Sequence, residues 1–251
     1  IQFLKSDAGI PHYGLLPYKQ AFVTLGRFFQ LHPQPSPRSR ELLARWIWRG
    51  ALNGAHQGDT VSTRKLLARI LPESEERSVD GMLEMVSGKP SAIPNVADRF
   101  NFRFAASKLL ALALFSLEPR DLITGERLAA GQLMSQVQSG HDSSPLLQIF
   151  PMRAGEAVEA LQSAANRLIQ PLHQGGIRRL LAGIDDSRLL LSHGISAAAR
   201  QALDEGDSAA FLKLRAAWMR PRVELFLARH ARWDESDRPR IASLIVDDEE
   251  G

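Results

Sequence analysis

The longest apolar pattern in the chain covers residues 96–117 and predicts the central helix of the fold. Its first half mixes apolar and basic positions at helical spacing, and from Leu109 onward almost every position is apolar. A helix that is apolar on all sides is buried either in a protein core or in a membrane. Because this apolar part is far shorter than the roughly 20 residues that a bilayer crossing needs, we expect a core helix and no membrane contact.

Helical spacing recurs on both sides of this central helix, and alternating strand patterns are missing. The helices expected before it cover residues 18–32, 39–51, 60–71 and 80–86. Those expected after it cover residues 126–137, 156–169 and 196–203, a long helix that begins after Asp207, and a short one from Asp237. Residues 177–181 and 187–191 are expected to be either helical or extended. Residues 145–151 are short, apolar and bounded by prolines, which favours a strand or an extended turn.

These patterns predict a mostly α-helical protein, a multi-helix domain around one buried helix. We expect a helical domain over 1–138 and a second part over 139–251, packed as one unit with the first. Ser39 is the expected N-cap of the second helix, and Pro221 is expected to kink the last long helix. The apolar side chains expected to face inward from that last helix are Phe211, Leu214, Trp218, Leu225 and Phe226.

Composition narrows the chemistry that the chain can perform. The sequence has no cysteine, which excludes disulfides, thiolate metal sites and cysteine nucleophiles. The first residue is not methionine and residues 1–16 lack the pattern of a signal peptide, so we expect a fragment of a longer cytoplasmic protein. The net charge is +3, and most of the 31 basic residues are arginines spread along the chain. Arginine binds phosphate well, but a GC-rich genome would produce the same bias.

The histidines give no metal signature. No two of them are three or four residues apart on a helix, and the sequence therefore predicts neither a metal site nor a cofactor. The seven histidines are His12, His32, His56, His141, His173, His193 and His230.

The segment RWIWRGAL, residues 45–52, has two interpretations. Arg45, Trp48 and Arg49 lie off the apolar stripe of their helix, so they are candidates to hold phosphates and stack on bases. Arg178 and Arg179 are further candidates for nucleic-acid binding. Alternatively Trp46 anchors the core and Trp48 fills the groove to a neighbouring helix, which the position of Trp46 on the apolar stripe favours.

Four segments, taken in order, resemble the C-terminal half of bacterial GmrSD-type proteins. GLLPYKQAFVTLGRFF with RELLARWIWRGAL resembles the helical region of that family, and RFNFRFAASKLLALAL resembles its central helix. LLQIFP followed by SAANRLI resembles its HNH nuclease segment, and LLLSHGI with DSAAFLKLR resembles the segment that follows. Such proteins join a ParB/sulfiredoxin-like nucleotide-using domain to a helical region and often to an HNH nuclease, so the resemblance implies a missing N-terminal domain of this kind.

The chain departs from the HNH pattern at the positions of the general base and of the acidic residue. In HNH enzymes an acidic residue and a histidine precede the isoleucine, and the histidine takes a proton from the attacking water. Here those positions are Leu147 and Gln148. Asn166 matches the middle asparagine of the family, and His173 stands near the last metal-side position. The resemblance therefore implies a degenerate HNH-like segment that keeps its packing without its chemistry.

Three functional hypotheses follow. The first is a non-catalytic C-terminal module of a bacterial defence or restriction-type protein, for example in phage defence, which serves DNA binding, regulation or contact with a partner. The second is a structural or oligomer-forming helical domain whose apolar surfaces contact a copy of itself or the missing N-terminal ParB-like domain. The third is an active metal-dependent nuclease that uses His141, Asp142, Asn166 and His173.

Overall fold

The structure is a computed structural model that describes residues 1–57, 60–90, 93–131, 133–134, 146–151, 159–171 and 176–238. Over these ranges it is predominantly helical, with one two-stranded sheet, which confirms the expected mostly α-helical class. The buried apolar residues of both halves of the chain form one continuous cluster.

The elements follow in chain order. The α-helices of the first half are α1 (Gln2–Ser6), α2 (Lys19–Leu31), α3 (Pro37–Leu52), α4 (Thr60–Leu67), α5 (Glu75–Glu84) and α6 (Ala105–Phe115). Those of the second half are α7 (Glu159–Gln162), α8 (Ile177–Ala182), α9 (Ser187–Ser192), α10 (Ala197–Asp204) and α11 (Ser208–Ala231). The strands are β1 (Leu146–Gln148) and β2 (Arg167–Ile169), and two 3₁₀ helices cover Tyr13–Leu15 and Ala164–Asn166.

Helix α3 lies between α5 and α11 and is buried on almost all sides. Its N-cap is Ser36 rather than the expected Ser39, because Pro37 suits the first helical position and the Ser36 hydroxyl accepts a hydrogen bond from the Ser39 amide at 3.1 Å. Because α3 is covered from both sides, residues off its main apolar stripe also become buried.

The central helix α6 is buried as expected, but it is shorter than the apolar pattern. The expectation of helix over 96–104 is wrong, because polar groups there bind the backbone in other ways. The Asn101 side chain accepts from the Arg103 amide at 3.0 Å, and the Phe100 amide donates to the Gln162 carbonyl at 2.8 Å. Such side-chain bonds compete with helix formation. Within the described ranges, no helix combines the length and the apolar character that a membrane crossing requires.

The two strands form an antiparallel hairpin with Gln148 opposite Arg167. The expected extended segment at 145–151 is confirmed where β1 is described. The expected helix over 156–169 is wrong at its end, because β2 replaces it and pairs with β1. The adjoining Leu146 and Ile169 are also opposite each other, and both are buried.

Two other expected helices differ or fall partly outside the described residues. The beginning of the helix expected over 126–137 is wrong, because Arg127 pairs with Arg120 in a β-bridge. Residues 135–137 lie outside the described ranges. The expected start of a helix at Asp237 also cannot be compared beyond residue 238, where the description ends.

Helix α11 begins after Asp207, whose side chain accepts from the Ala210 amide at 2.9 Å, and it continues without a break through Pro221. Phe211 faces inward as expected. The expectation is wrong for Leu214 and Leu225, which are 37% and 49% exposed. The reason is a second apolar stripe on the same helix, which packs on the core instead. The residues of that buried stripe are Leu212, Ala216, Met219, Val223 and Leu227.

Arg215 lies in the buried stripe and joins α11 to two distant parts of the chain. Its side chain is 1% exposed and donates to the His193 carbonyl from Nε at 3.0 Å and from Nη2 at 2.7 Å. Its Nη1 donates to the Ala165 carbonyl. Burial lowers the pKa of Arg215 to about 9, which leaves the guanidinium charged at neutral pH. The next residue after His193 is Gly194, whose positive φ of 73° and close approach to Met219 both require glycine.

Replacing Arg215 tests this link. The Arg215→Ala variant leaves two buried carbonyls without donors and opens a cavity, so we expect a loss of about 3 kcal/mol in unfolding free energy. Urea denaturation followed by circular dichroism measures it. Arg220→Ala, on the exposed side of the same helix, should change stability by less than about 0.5 kcal/mol. Equal losses in the two variants would contradict a structural role for Arg215.

Candidate functional site

The β-hairpin holds the asparagine that matches the HNH pattern. The Asn166 side chain is fully buried. Its Oδ1 accepts from the Phe150 amide at 2.9 Å, and its Nδ2 donates to the carbonyls of Phe150 at 2.9 Å and Leu161 at 2.8 Å. This amide therefore ties the end of β1 to α7 and to β2. With both Nδ2 protons donated and Oδ1 facing a backbone amide, the group has no free position toward solvent.

The other candidate nuclease residues cannot be placed. His141, Asp142 and His173 lie outside the described residues, and of the four candidates the structure describes Asn166 alone. Within the described ranges, no group of three or more histidine or acidic side chains is arranged to hold a metal ion. The hypothesis of an active nuclease stays a prediction.

Gln148 and Arg167 lie opposite each other at the end of the hairpin from which the connecting segment leaves, and directly opposed residues project to the same face. The Arg167 guanidinium carbon lies 5.6 Å from the centre of the Phe100 ring. Burial lowers the pKa of Arg167. Its Nε is buried, and the described part of the chain offers it no hydrogen-bond acceptor. The face therefore presents an arginine whose charge has no acidic partner among the described residues.

Arg45 and Arg49, two nucleic-acid candidates, face the interior instead. Arg45 is 2% exposed and pairs with Glu41 at 2.7 Å and with Glu235 and Asp237 beyond the end of α11. Arg49 also pairs with Asp237. The expectation that these side chains contact phosphates is contradicted by their burial and by their ion pairs inside the protein.

Arg49 also caps the C-terminal end of α11. Its Nε donates to the Ala231 carbonyl at 2.8 Å, and its Nη2 donates to the Arg232 carbonyl at 2.7 Å. Arg232 adopts a left-handed conformation at this C-terminus, with φ of 47°. The last carbonyls of a helix have no partner within the helix, so a cation from α3 supplies the missing donors.

Trp48, the third candidate of the same segment, is 1% exposed. Its Nε1 donates to the Ala8 carbonyl at 2.8 Å, and its ring lies against Phe226 and His230 of α11. It cannot stack on a nucleic-acid base in this position. The alternative interpretation, in which Trp46 anchors the core and Trp48 fills the groove to a neighbouring helix, describes the geometry found.

Arg178 and Arg179 on α8 are both exposed. The Arg178 guanidinium carbon lies 5.8 Å from the centre of the Phe150 ring, which places this side chain beside the hairpin. Neither side chain forms an ion pair with a described residue. Unlike Arg45 and Arg49, they remain accessible to an anionic ligand, and their role in nucleic-acid binding stays a prediction.

Two buried histidines act as neutral structural groups. The Nε2 of His56 lies 3.1 Å from the Trp46 carbonyl, and that of His193 lies 2.6 Å from the Arg120 carbonyl. Burial lowers the pKa of each imidazole to about 4. The nearby charge of Arg215 also lowers the pKa of His193. Since both rings are neutral at pH 7, each Nε2–H can donate to its carbonyl.

Comparison of the chain with known protein families, curated proteins and solved structures gave no match. The resemblance to GmrSD-type proteins therefore stays a prediction that depends on the sequence motifs.

Two arginines, Arg215 on α11 and Arg167 on β2, were not among the residues predicted from the sequence. Arg215 stands three positions from Leu212 and four from Met219 on the apolar stripe of α11, and a charged residue at a core position was the available signal. Arg167 follows Asn166 directly, but a helix was expected there. Its place opposite Gln148 depends on strand pairing between distant segments, which sequence spacing does not give.

Replacing Asn166 should reduce stability. Asn166→Ala leaves the Phe150 amide and two buried carbonyls without partners, so we expect a loss of about 3 kcal/mol in unfolding free energy. Urea denaturation gives the value. The matched control is Asn101→Ala, which removes one partly exposed turn contact and should cost less than about 1 kcal/mol. A stable Asn166→Ala protein with unchanged unfolding would show that the amide is not a structural tie.

Acid should destabilise the protein through His56 and His193. An unfolded histidine titrates near pH 6.5, whereas these two have a folded pKa of about 4. Between those values the unfolded chain binds more protons, so the stabilisation is complete above about pH 6.5 and is lost as the pH falls toward 4. We expect each histidine to account for about 2 kcal/mol of lost unfolding free energy at pH 5.

Urea denaturation from pH 7.5 to 5 measures this pH dependence. The His56→Gln and His193→Gln variants should each be less stable than the wild type at pH 7.5. Each variant lacks one titrating imidazole, so its unfolding free energy should fall less steeply as the pH decreases. A pH dependence equal to that of the wild type in both variants would rule out the two imidazoles as its source.

Proposed function

We propose that this chain is a non-catalytic module of a bacterial defence or restriction-type protein that contacts DNA through exposed arginines beside its hairpin. The observation that carries the non-catalytic part is the state of Asn166. Its amide makes three hydrogen bonds to backbone groups inside the fold, so this side chain stabilises the hairpin and is not available to bind a metal ion or a water molecule.

The residues of β1 support the same conclusion. A general base near neutral pH needs a group that accepts a proton, and the family position for that base is Gln148 here. An amide side chain does not take up a proton in that range. Leu147 stands where the resemblance implies an acidic residue, and a leucine does not bind a cation.

DNA contact is supported by the cations that the fold leaves accessible. Arg178 and Arg179 are exposed on α8, Arg178 lies beside Phe150, and Arg167 is half-buried where β2 begins. Arginine forms bidentate hydrogen bonds with phosphate. On the resemblance we further propose a cytoplasmic protein in which a ParB-like N-terminal domain is the partner in the same chain.

A salt titration of DNA binding tests the proposal. The protein is titrated onto a fluorescent duplex of about 20 base pairs at several salt concentrations, and anisotropy gives the affinity. We expect affinity to fall steeply with salt. Replacing both Arg178 and Arg179 by Ala should weaken binding and reduce the salt slope by about 2, because two phosphate contacts are lost. The control Arg77→Ala, exposed on α5, should bind like the wild type.

Two results would contradict the proposal. Wild-type binding at background level in low salt would exclude the DNA-binding part. Plasmid nicking in Mg²⁺ or Mn²⁺ that is lost in His173→Ala would exclude the non-catalytic part and favour the nuclease hypothesis. Nicking that survives both His173→Ala and Asn166→Ala would indicate a contaminating nuclease, and the protein would then be repurified and assayed again.

A further inference from the structure

In addition to its buried stripe, helix α11 carries an outer apolar stripe, most of whose residues are exposed. The residues of the stripe recur at alternating steps of four and three: Leu214, Trp218, Pro221, Leu225 and Ala228. Leu214 and Leu225 are exposed, Trp218 is half-buried, and Pro221 and Ala228 are exposed. The stripe extends for about 21 Å along the helix at 1.5 Å per residue. We call these five residues the outer seam.

The spacing of the outer seam is that of a coiled-coil interface. Apolar residues at alternating steps of three and four form a narrow seam, which a second helix fills with its own side chains. Single exposed apolar residues are common on protein surfaces, but here they are aligned over two heptads of one helix. A partner helix would cover the seam along its length.

The charged residues beside the outer seam are mostly positive. The exposed face of α11 has four cations, which are Lys213, Arg220, Arg222 and Arg229, and one acid, Glu224. None of these five forms an ion pair with a residue that the structure describes.

Two of the cations occupy the positions that select a partner. Arg222 and Arg229 each directly follow a seam residue, and the corresponding coiled-coil positions form salt bridges across the interface. Arg222 also lies on the Trp218 ring, with its guanidinium carbon 3.5 Å from the ring centre, and donates to the Trp218 carbonyl at 2.7 Å. This arginine is thereby held at the edge of the seam, where an acidic side chain of a partner can reach it.

We propose that the outer seam docks an acidic amphipathic helix of a partner protein, with leucine-like side chains in the seam and Glu or Asp beside Arg222 and Arg229. A second copy of this chain fits less well, because its exposed face carries four cations and one acid, so that only Glu224 could neutralise a cation across the interface. A nucleic acid would meet the cations but would leave the apolar seam against polar groups. A flat lipid surface does not need the narrow seam spacing.

Two synthetic peptides test the charge requirement. Each has about three heptads with leucine at the seam positions, and one carries glutamate at the flanking positions where the other carries lysine. Anisotropy of the labelled peptides is measured against the full chain. We expect the glutamate peptide to bind and the lysine peptide to bind at least about tenfold more weakly.

Substitutions on α11 test the location. Leu225→Ser should weaken binding of the glutamate peptide at least about tenfold. Val23→Ser changes an exposed apolar residue on a different helix, α2, and should leave that affinity unchanged. Replacing both Arg222 and Arg229 by Glu should reverse the preference between the two peptides. The matched charge control is Arg77→Glu on α5, which should leave the preference unchanged.

Several outcomes would overturn the proposal. Equal binding of the two peptides, or equal effects of Leu225→Ser and Val23→Ser, would exclude a charge-selective seam on α11. Binding to phosphatidylserine vesicles without binding to the glutamate peptide would assign the face to lipid. A dimer of the chain that light scattering detects and that Leu225→Ser abolishes would assign it to a second copy.

Discussion

The fork of hydrogen bonds from Arg215 holds together parts of the chain that are far apart in sequence. It joins α11 to the carbonyls of Ala165, beside the hairpin, and of His193, in the turn before α10. A buried charge without an acidic partner is costly unless its hydrogen bonds are satisfied. The packing around Arg215 therefore depends on these carbonyls keeping their places, so the native positions of the hairpin and of α11 are linked.

Arginines of α3 have a related role at the other end of α11. Arg49 supplies donors to the last carbonyls of that helix, and Arg45 pairs with acidic residues beyond it. Part of the arginine excess of the chain is therefore used for internal contacts. A count of basic residues overstates the surface available for phosphates, and this is why exposure rather than sequence separates Arg178 and Arg179 from Arg45 and Arg49.

The hairpin shows how a single buried amide can hold several backbone segments in place. Asn166, which the resemblance aligns with the middle asparagine of the HNH pattern, supports the local backbone. Replacing Asn166 would leave buried backbone groups unpaired, whereas Gln148 is only partly buried at the end of its strand. The structural requirement therefore constrains position 166 more strongly than position 148.

The sequence by itself determined the helical class, the buried centre at α6, the extended character of β1 and the start of α11 after Asp207. Each of these depends on spacing or capping within one short segment, which local physics decides. The tertiary structure decided that 167–169 is a strand, that Arg45 and Trp48 are buried, and that Leu214 and Leu225 face outward. Those outcomes depend on which distant segment packs against each face. A helix with apolar residues on two sides, such as α11, carries no local information about which side the core will cover.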